Sequence, residues 1–149
     1  MQSALSVYMG SGAAKTIGDL GWQSAPFSTL IGASGGPKWL ILSELDKVLG
    51  QALLLGRGEP MTLLGSSIGT WRHACLSLND PGVAISRLQQ AYVYQEYSCA
   101  RPSPSEVSQV AEQMLREALG QEGAHQIAAH PTLHNAIVTA RAKGLARGE

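Results

Sequence analysis

Two short glycine-rich segments hold the residues whose types and spacing could do chemistry. In Gly65-Ser66-Ser67-Ile68-Gly69 a serine stands between glycines in the pattern Gly-x-Ser-x-Gly. That is the pattern of a nucleophile elbow, a strained strand-to-helix turn that lifts a serine hydroxyl clear of the backbone. Glycines flank the serine because the chain passes too close to itself for a side chain. The hydroxyl could attack an acyl carbonyl, and the N-terminus of the following helix would favour the negative charge that develops. The second segment, Gly32-Ala33-Ser34-Gly35-Gly36-Pro37-Lys38, contains the same pattern, so Ser34 is a rival nucleophile. Its run of glycines better suits a loop that offers backbone N–H groups to an anion, and Ser34 ranks below Ser67. In a chain of 149 residues with 17 glycines the pattern arises by chance roughly 0.2 times, so the surrounding elements must decide.

Those elements agree. Three β-type runs stand out, Leu5–Met9, Phe27–Ile31 and Met61–Leu64, and each of the last two enters a glycine-rich turn and then a helical pattern. After the first turn a helix is expected over about Lys38–Gly50, with Ile41, Leu45, Val48 and Leu49 on its apolar face. Pro37 suits a first helical turn. The run Thr70–Leu78 follows the second turn. Strand, helix and strand in this order make a βαβ unit with parallel strands in one sheet. Both glycine segments then lie at the carboxyl edge of that sheet, where open α/β folds bind ligands. A serine on one loop would face free N–H groups on its neighbour, a nucleophile beside an oxyanion hole. The expected donors are Gly35, Gly36 and Ile68.

Downstream, Asp80 and Pro81 cap and start a helix expected to reach about Tyr97. Ser103-Pro104-Ser105-Glu106 reads as a capping box. The helix it opens carries Val107, Val110, Met114, Leu115 and Ala118 on one face and stops at Gly120. A last strand is expected near Leu133–Val138, before a basic end, Arg141–Glu149. The fold class is therefore α/β, a parallel-sheet core of βαβ units in a single domain over residues 1–149, with few strands for such a sheet.

The two motifs, in this order and spacing, resemble the patatin-like phospholipases, particularly a bacterial branch. The likeness rests on Gly32-Ala33-Ser34-Gly35-Gly36-Pro37-Lys38-Trp39 and Gly65-Ser66-Ser67-Ile68-Gly69-Thr70-Trp71-Arg72; it is strongest over residues 27–76 and continues faintly to about Leu145. It implies a serine acyl hydrolase of lipid or carboxylic esters that forms an acyl-enzyme on Ser67. Gly35 and Gly36 fall on the oxyanion glycines and Lys38 on the loop's basic position, where it would attract an anionic head group. Gly65 and Gly69 complete the elbow. No metal or organic cofactor is implied, and the partners expected are an ester or lipid substrate and a membrane surface touched peripherally. The family's serine works with an aspartate of an Asp-Gly-Gly or Asp-Gly-Ala motif. Here Asp19, Asp46 and Asp80 are not followed by glycine. The chain thus resembles the family's N-terminal half, incomplete at the C-terminus, and is expected to be a poor catalyst alone. Pairing with a missing half, or self-association through an unpaired sheet edge, follows from the same reading. The competing reading is a non-catalytic anion- or acyl-binding remnant of that fold.

Other residues weigh less. His73, six positions after Ser67, reads as structural, and a pairing of Ser67 with His125, His130 or His134 ranks low. Trp39, Trp71 and Cys75 read as core or pocket wall. Gly10-Ser11-Gly12-Ala13-Ala14-Lys15-Thr16 fails the phosphate-loop pattern, since Met9 and Ala14 stand where glycines are needed. With 11 basic and 11 acidic residues the chain has no net charge and lacks the electrostatic footprint of a nucleic-acid binder. Two cysteines, Cys75 and Cys99, are too few for a disulfide or zinc framework. Without a leader-like start or a long apolar run, a soluble, cytoplasmic chain is expected.

Overall fold

The alternation of β2, Met61–Ser66, organises the structure: Met61, Leu63 and Gly65 are buried and Thr62 between them is exposed. That period of two marks a strand with one face on a core. The computed structural model describes residues 6–141. In it β2 is the centre of a three-stranded parallel sheet, between β1 (Thr29–Gly32) and β3 (Leu133–Val138). Gly32 sits opposite Gly65, and Leu133 opposite Met61, on the same buried face. The helices are α1 (Ser11–Leu20), α2 (Ser43–Leu49), α3 (Ile68–Leu76), α4 (Pro81–Val93), α5 (Pro104–Leu119) and α6 (Gly123–Ala128). The chain is α/β, as expected. No helix among the described residues is long and apolar enough to cross a membrane.

Helix α3 lies on β1, β2 and β3, with α2 and α4 behind it and α5 packed on α4. The core gathers where these meet: Leu63, Ile68, Cys75, Ile85, Leu88 and Leu133 are almost completely buried. Capping follows the sequence. Asp80 accepts from the Val83 N–H at 3.0 Å, and Ser103 from the Glu106 N–H at 3.2 Å. The capping box is only half closed, because the Glu106 carboxylate turns to the N–H and hydroxyl of Ser98.

Several expectations are corrected. Residues 6–10 form no strand, since β1 pairs only with β2, and Leu5 lies outside the described residues. The helix α1 that follows carries Ala13, Ile17 and Leu20 at helical spacing but buries none of its residues. Helix α4 stops at Val93 rather than Tyr97, where the Gln95 side chain takes the Tyr92 carbonyl. Val107 on the expected face of α5 is exposed, while Met114 and Ala118 are buried.

The largest correction concerns α2. Ile41, Val48 and Leu45 face outward, and Ile41 is 84% exposed. The buried side is instead Trp39, Ser43, Asp46, Gly50 and Leu54. The segment begins as a 3₁₀ turn over Gly36–Leu42 and ends as a π-helical turn over Gly50–Leu54, so no single period describes it. Polar and steric fit decide its orientation. The Asp46 carboxylate accepts two hydrogen bonds of 2.6 Å from the Arg72 guanidinium on α3. Gly50 lies so near Pro81 that a Cβ would come within 2.9 Å of its ring. A second arginine ties the strand entrances: Arg57, largely buried, donates to the carbonyls of Ser24, Phe27, Glu59 and Pro60.

Asp46 is 1% exposed, so removing it strands a buried guanidinium. Asp46→Ala is expected to cost about 3–5 kcal/mol, measured by urea unfolding. Loss below about 1 kcal/mol would show that the pair does not fix α2.

Candidate active site

The turn from β2 into α3 carries the backbone signature of an elbow. Ser67 has φ 52° and ψ −128°, and among the described residues it is the only non-glycine with positive φ. A side chain in that region costs on the order of 1–3 kcal/mol and persists only where the surroundings enforce it. Both flanking glycines do the enforcing. A Cβ on Gly65 would lie 2.6 Å from the Thr70 Cα, and one on Gly69 would lie 2.1 Å from the Gly32 carbonyl oxygen. The strand can therefore turn back over α3 only because neither position has a side chain. The result leaves Ser67 exposed at the carboxyl end of β2 and the start of α3.

The neighbouring loop is brought alongside, as the parallel pairing of β1 with β2 requires. The Ser34 hydroxyl lies 2.9 Å from that of Ser66 and 3.4 Å from the Ser66 carbonyl. Ser34 thus fastens the loop to the elbow. Its hydroxyl is engaged there, whereas the Ser67 hydroxyl has no hydrogen-bond partner among the described residues. Gly36 has φ +53°, a left-handed conformation suited to glycine. The Gly35 N–H donates to no backbone carbonyl among the described residues. Gly36 and Ile68 each begin a helical segment and so have N–H groups without an intrahelical acceptor. Lys38 follows on the same 3₁₀ turn, exposed, its N–H bonded to the Gly35 carbonyl at 3.3 Å.

Beside Ser67 opens a groove of about 570 Å³ that the motifs did not announce. Trp71 and Ala74 of α3, Leu115 and Leu119 of α5, Ile127 of α6, and Ile137 and Val138 of β3 line it. Its polar members are Thr70 and Asn135; the latter donates to the Ser77 hydroxyl at 2.7 Å. No aspartate, glutamate or histidine among the described residues lines it. Its walls come from α3, α5, α6 and β3, and the sequence signals were that Trp71 read as core or pocket wall, Leu115 lay on the apolar face of α5, and Ile137 and Val138 fell in an expected strand. Trp71 is pocket wall; Trp39 is core, edge-on to Tyr92 at 5.8 Å.

The other titratable groups are placed away from this chemistry. Asp46 is held by Arg72, Asp80 caps α4, and Asp19 is exposed on α1. His134 pairs with Thr62, five positions before Ser67, about 16 Å down the strand. His130 precedes β3 and accepts from the Leu133 N–H at 2.9 Å. Cys75 is a buried hydrophobe whose thiol is pushed up to about 12, first by burial and then by the Asp46 charge. His73 is 2% exposed, one turn beyond Gly69, with Nδ1 buried and lacking a well-formed hydrogen bond. Burial, and then the Arg72 charge, hold it below its ordinary 6.5, while the Leu63 carbonyl and Asp46 pull the other way.

Two outcomes follow. Gly69→Ala forces β1 and α3 apart and should cost upwards of about 3 kcal/mol, read from the urea midpoint; a neutral effect would show that the two segments are not in contact. Because His73 is lowered in the folded protein, the unfolded chain binds its proton more readily. Its stabilising contribution is complete above 6.5 and is lost as pH falls below that value, levelling off below the folded pKa. His130, lowered by burial and by His134, adds with the same sign. Urea midpoints measured against pH should fall in this window, and less steeply in His73→Gln.

No protein-family model matches this chain, and no curated protein or solved structure matches it either.

Proposed function

We propose that this chain is a serine acyl hydrolase of the patatin-like type, acting on lipid or other carboxylic esters with a linear acyl chain. The observation that carries this reading is the backbone of Ser67, held at φ 52° by two glycines that admit no Cβ. Strain of that kind is retained where it aims a side chain at a reaction. The Ser67 Oγ attacks the acyl carbonyl carbon, and the oxygen that gains the negative charge is met by the N–H groups of Gly35, Gly36 and Ile68. Donors of this kind contribute about 3–4 kcal/mol each in the transition state. The C–O bond to the alcohol breaks, and the alcohol leaves with the proton that Ser67 gave up. Water then cleaves the acyl-enzyme, returning a proton to Ser67 and releasing the acid. The apolar groove beside Ser67 takes the acyl chain, and Lys38 draws an anionic head group toward the glycine loop.

The absence of an acidic or histidine side chain from that groove, among the described residues, favours a second reading: a binder of acyl groups with little turnover. A serine without a base is a weak nucleophile, and losing the base typically costs on the order of 10⁴-fold in kcat.

An alkyl fluorophosphonate separates these cases, since Ser67 Oγ displaces fluoride from phosphorus only if the elbow and its N–H groups activate it. Labelling should fall on Ser67, vanish in Ser67→Ala, and still reach Ser67 in Ser34→Ala, more slowly because the loop is unfastened. Each methylene that enters the groove should raise reactivity about fourfold. Labelling unchanged in Ser67→Ala would refute the assignment. Binding of the alkyl chain without labelling would leave the binder.

A further inference from the structure

We infer that His73 is a positioning residue whose imidazole is the spacer that sets the glycine loop after β1 at its distance from the Ser67 elbow. This rests on the reading of Ser67 as the nucleophile. Three residues form one joint. Gly69 meets the carbonyl of Gly32, where a Cβ would stand 2.1 Å from the oxygen. One turn on, the imidazole edge of His73 closes on Gly32 from beneath, and a Cβ there would lie 2.8 Å from both Cε1 and Nε2. Gly32 is the last residue of β1, so the loop that carries Gly35 and Gly36 starts from this contact. On its other side the loop is fastened by the Ser34–Ser66 hydroxyl pair at 2.9 Å. The loop is therefore held between a hydrogen bond above and a ring below.

The choice of histidine needs a reason: among the described residues its Nδ1 is buried without a well-formed partner, although the Leu63 carbonyl lies close enough to favour the charged ring. Leaving a polar atom in that state is costly, and an aliphatic side chain would fill the space without the cost. What histidine supplies is shape: a flat five-membered ring, narrower than phenyl, turned edge-on to a residue without a side chain. Burial and the Arg72 charge beside it on α3 disfavour the charged ring, while Asp46, reaching over from α2, works the other way. The ring's role is thus one of thickness. A thinner side chain lets the loop sink, a thicker one lifts it, and either moves the N–H donors from the place the oxyanion will occupy.

The test is the alkyl fluorophosphonate reaction of the full chain, resolved into maximal labelling rate, half-saturating concentration and labelled fraction. It is run on wild type, Ser67→Ala, His73→Ala and His73→Phe. The expected result is a maximal rate about 100-fold lower in His73→Ala, the penalty of a misplacement of about 1 Å. In His73→Phe the rate falls about tenfold as the broader ring pushes the loop outward. Half-saturation stays unchanged, because the groove that holds the alkyl chain does not include His73. Should His73→Ala fail to fold, His73→Phe decides by the same measure. A folded variant that keeps the wild-type maximal rate overturns the proposal, and so does a smaller labelled fraction reacting at the wild-type rate, which marks a residue needed only for folding. If the wild type shows no labelling that depends on Ser67, the hydrolase reading fails and takes this inference with it.

Discussion

The contact between Gly69 and Gly32 is the constraint on which the rest depends. A helix that begins immediately after a central strand must double back over the sheet, and here its first turn lands on the backbone of the adjacent strand. Backbone against backbone leaves no room for a Cβ on either side. With the approach fixed, the residue joining strand to helix has little freedom, and Ser67 is driven to positive φ. The strain is local, and packing over the whole of α3 sustains it: Ile68, Cys75 and Leu76 are buried against the sheet and α4. A protein interior packed at crystal-like density resists the small shifts that would relax such a turn.

The rest of the core orients α3 and the loop before it. Helix α2 follows the glycine loop through the 3₁₀ turn Gly36–Leu42 and is tied to α3, the helix after the elbow, by the Asp46–Arg72 pair. A buried ion pair is weak evidence for net stability, but removing one partner is costly, which gives the pair directional power. Its orientation leaves Ile41 and Val48 on the surface. Helices α5 and α6 contribute to the site by their side: with β3 they close the groove whose mouth is Ser67.

Electrostatically the site is spare. Its polar groups are backbone N–H groups, hydroxyls and the Asn135 carboxamide, with Lys38 on the neighbouring loop, and among the described residues no acid or histidine lines the groove. Three acid groups of the described chain serve the framework: Asp46 binds Arg72, Asp80 caps α4 and Glu106 holds Ser98.

The sequence by itself determined what depends on neighbours along the chain. The elbow and the glycine loop were legible because Gly65, Gly69 and Gly36 sit where a side chain is sterically excluded or a left-handed turn is required, and such exclusions are written in residue type. The caps at Asp80 and Ser103 were legible for the same reason, as were β2, whose apolar run marks a half-buried strand, and β3, expected near Leu133–Val138. Tertiary structure decided what depends on partners distant in sequence. The buried side of α2 was set by Arg72, 26 positions away, against the apolar pattern of Ile41, Leu45 and Val48. The partner of Ser34 is Ser66, 32 positions away, and His73 is packed against Gly32, 41 positions before it. The groove had no sequence signature, because its walls meet only when α3, α5, α6 and β3 pack together. Local sterics speak through residue identity; the side to which a helix or a histidine turns is fixed by whichever distant atoms it must satisfy.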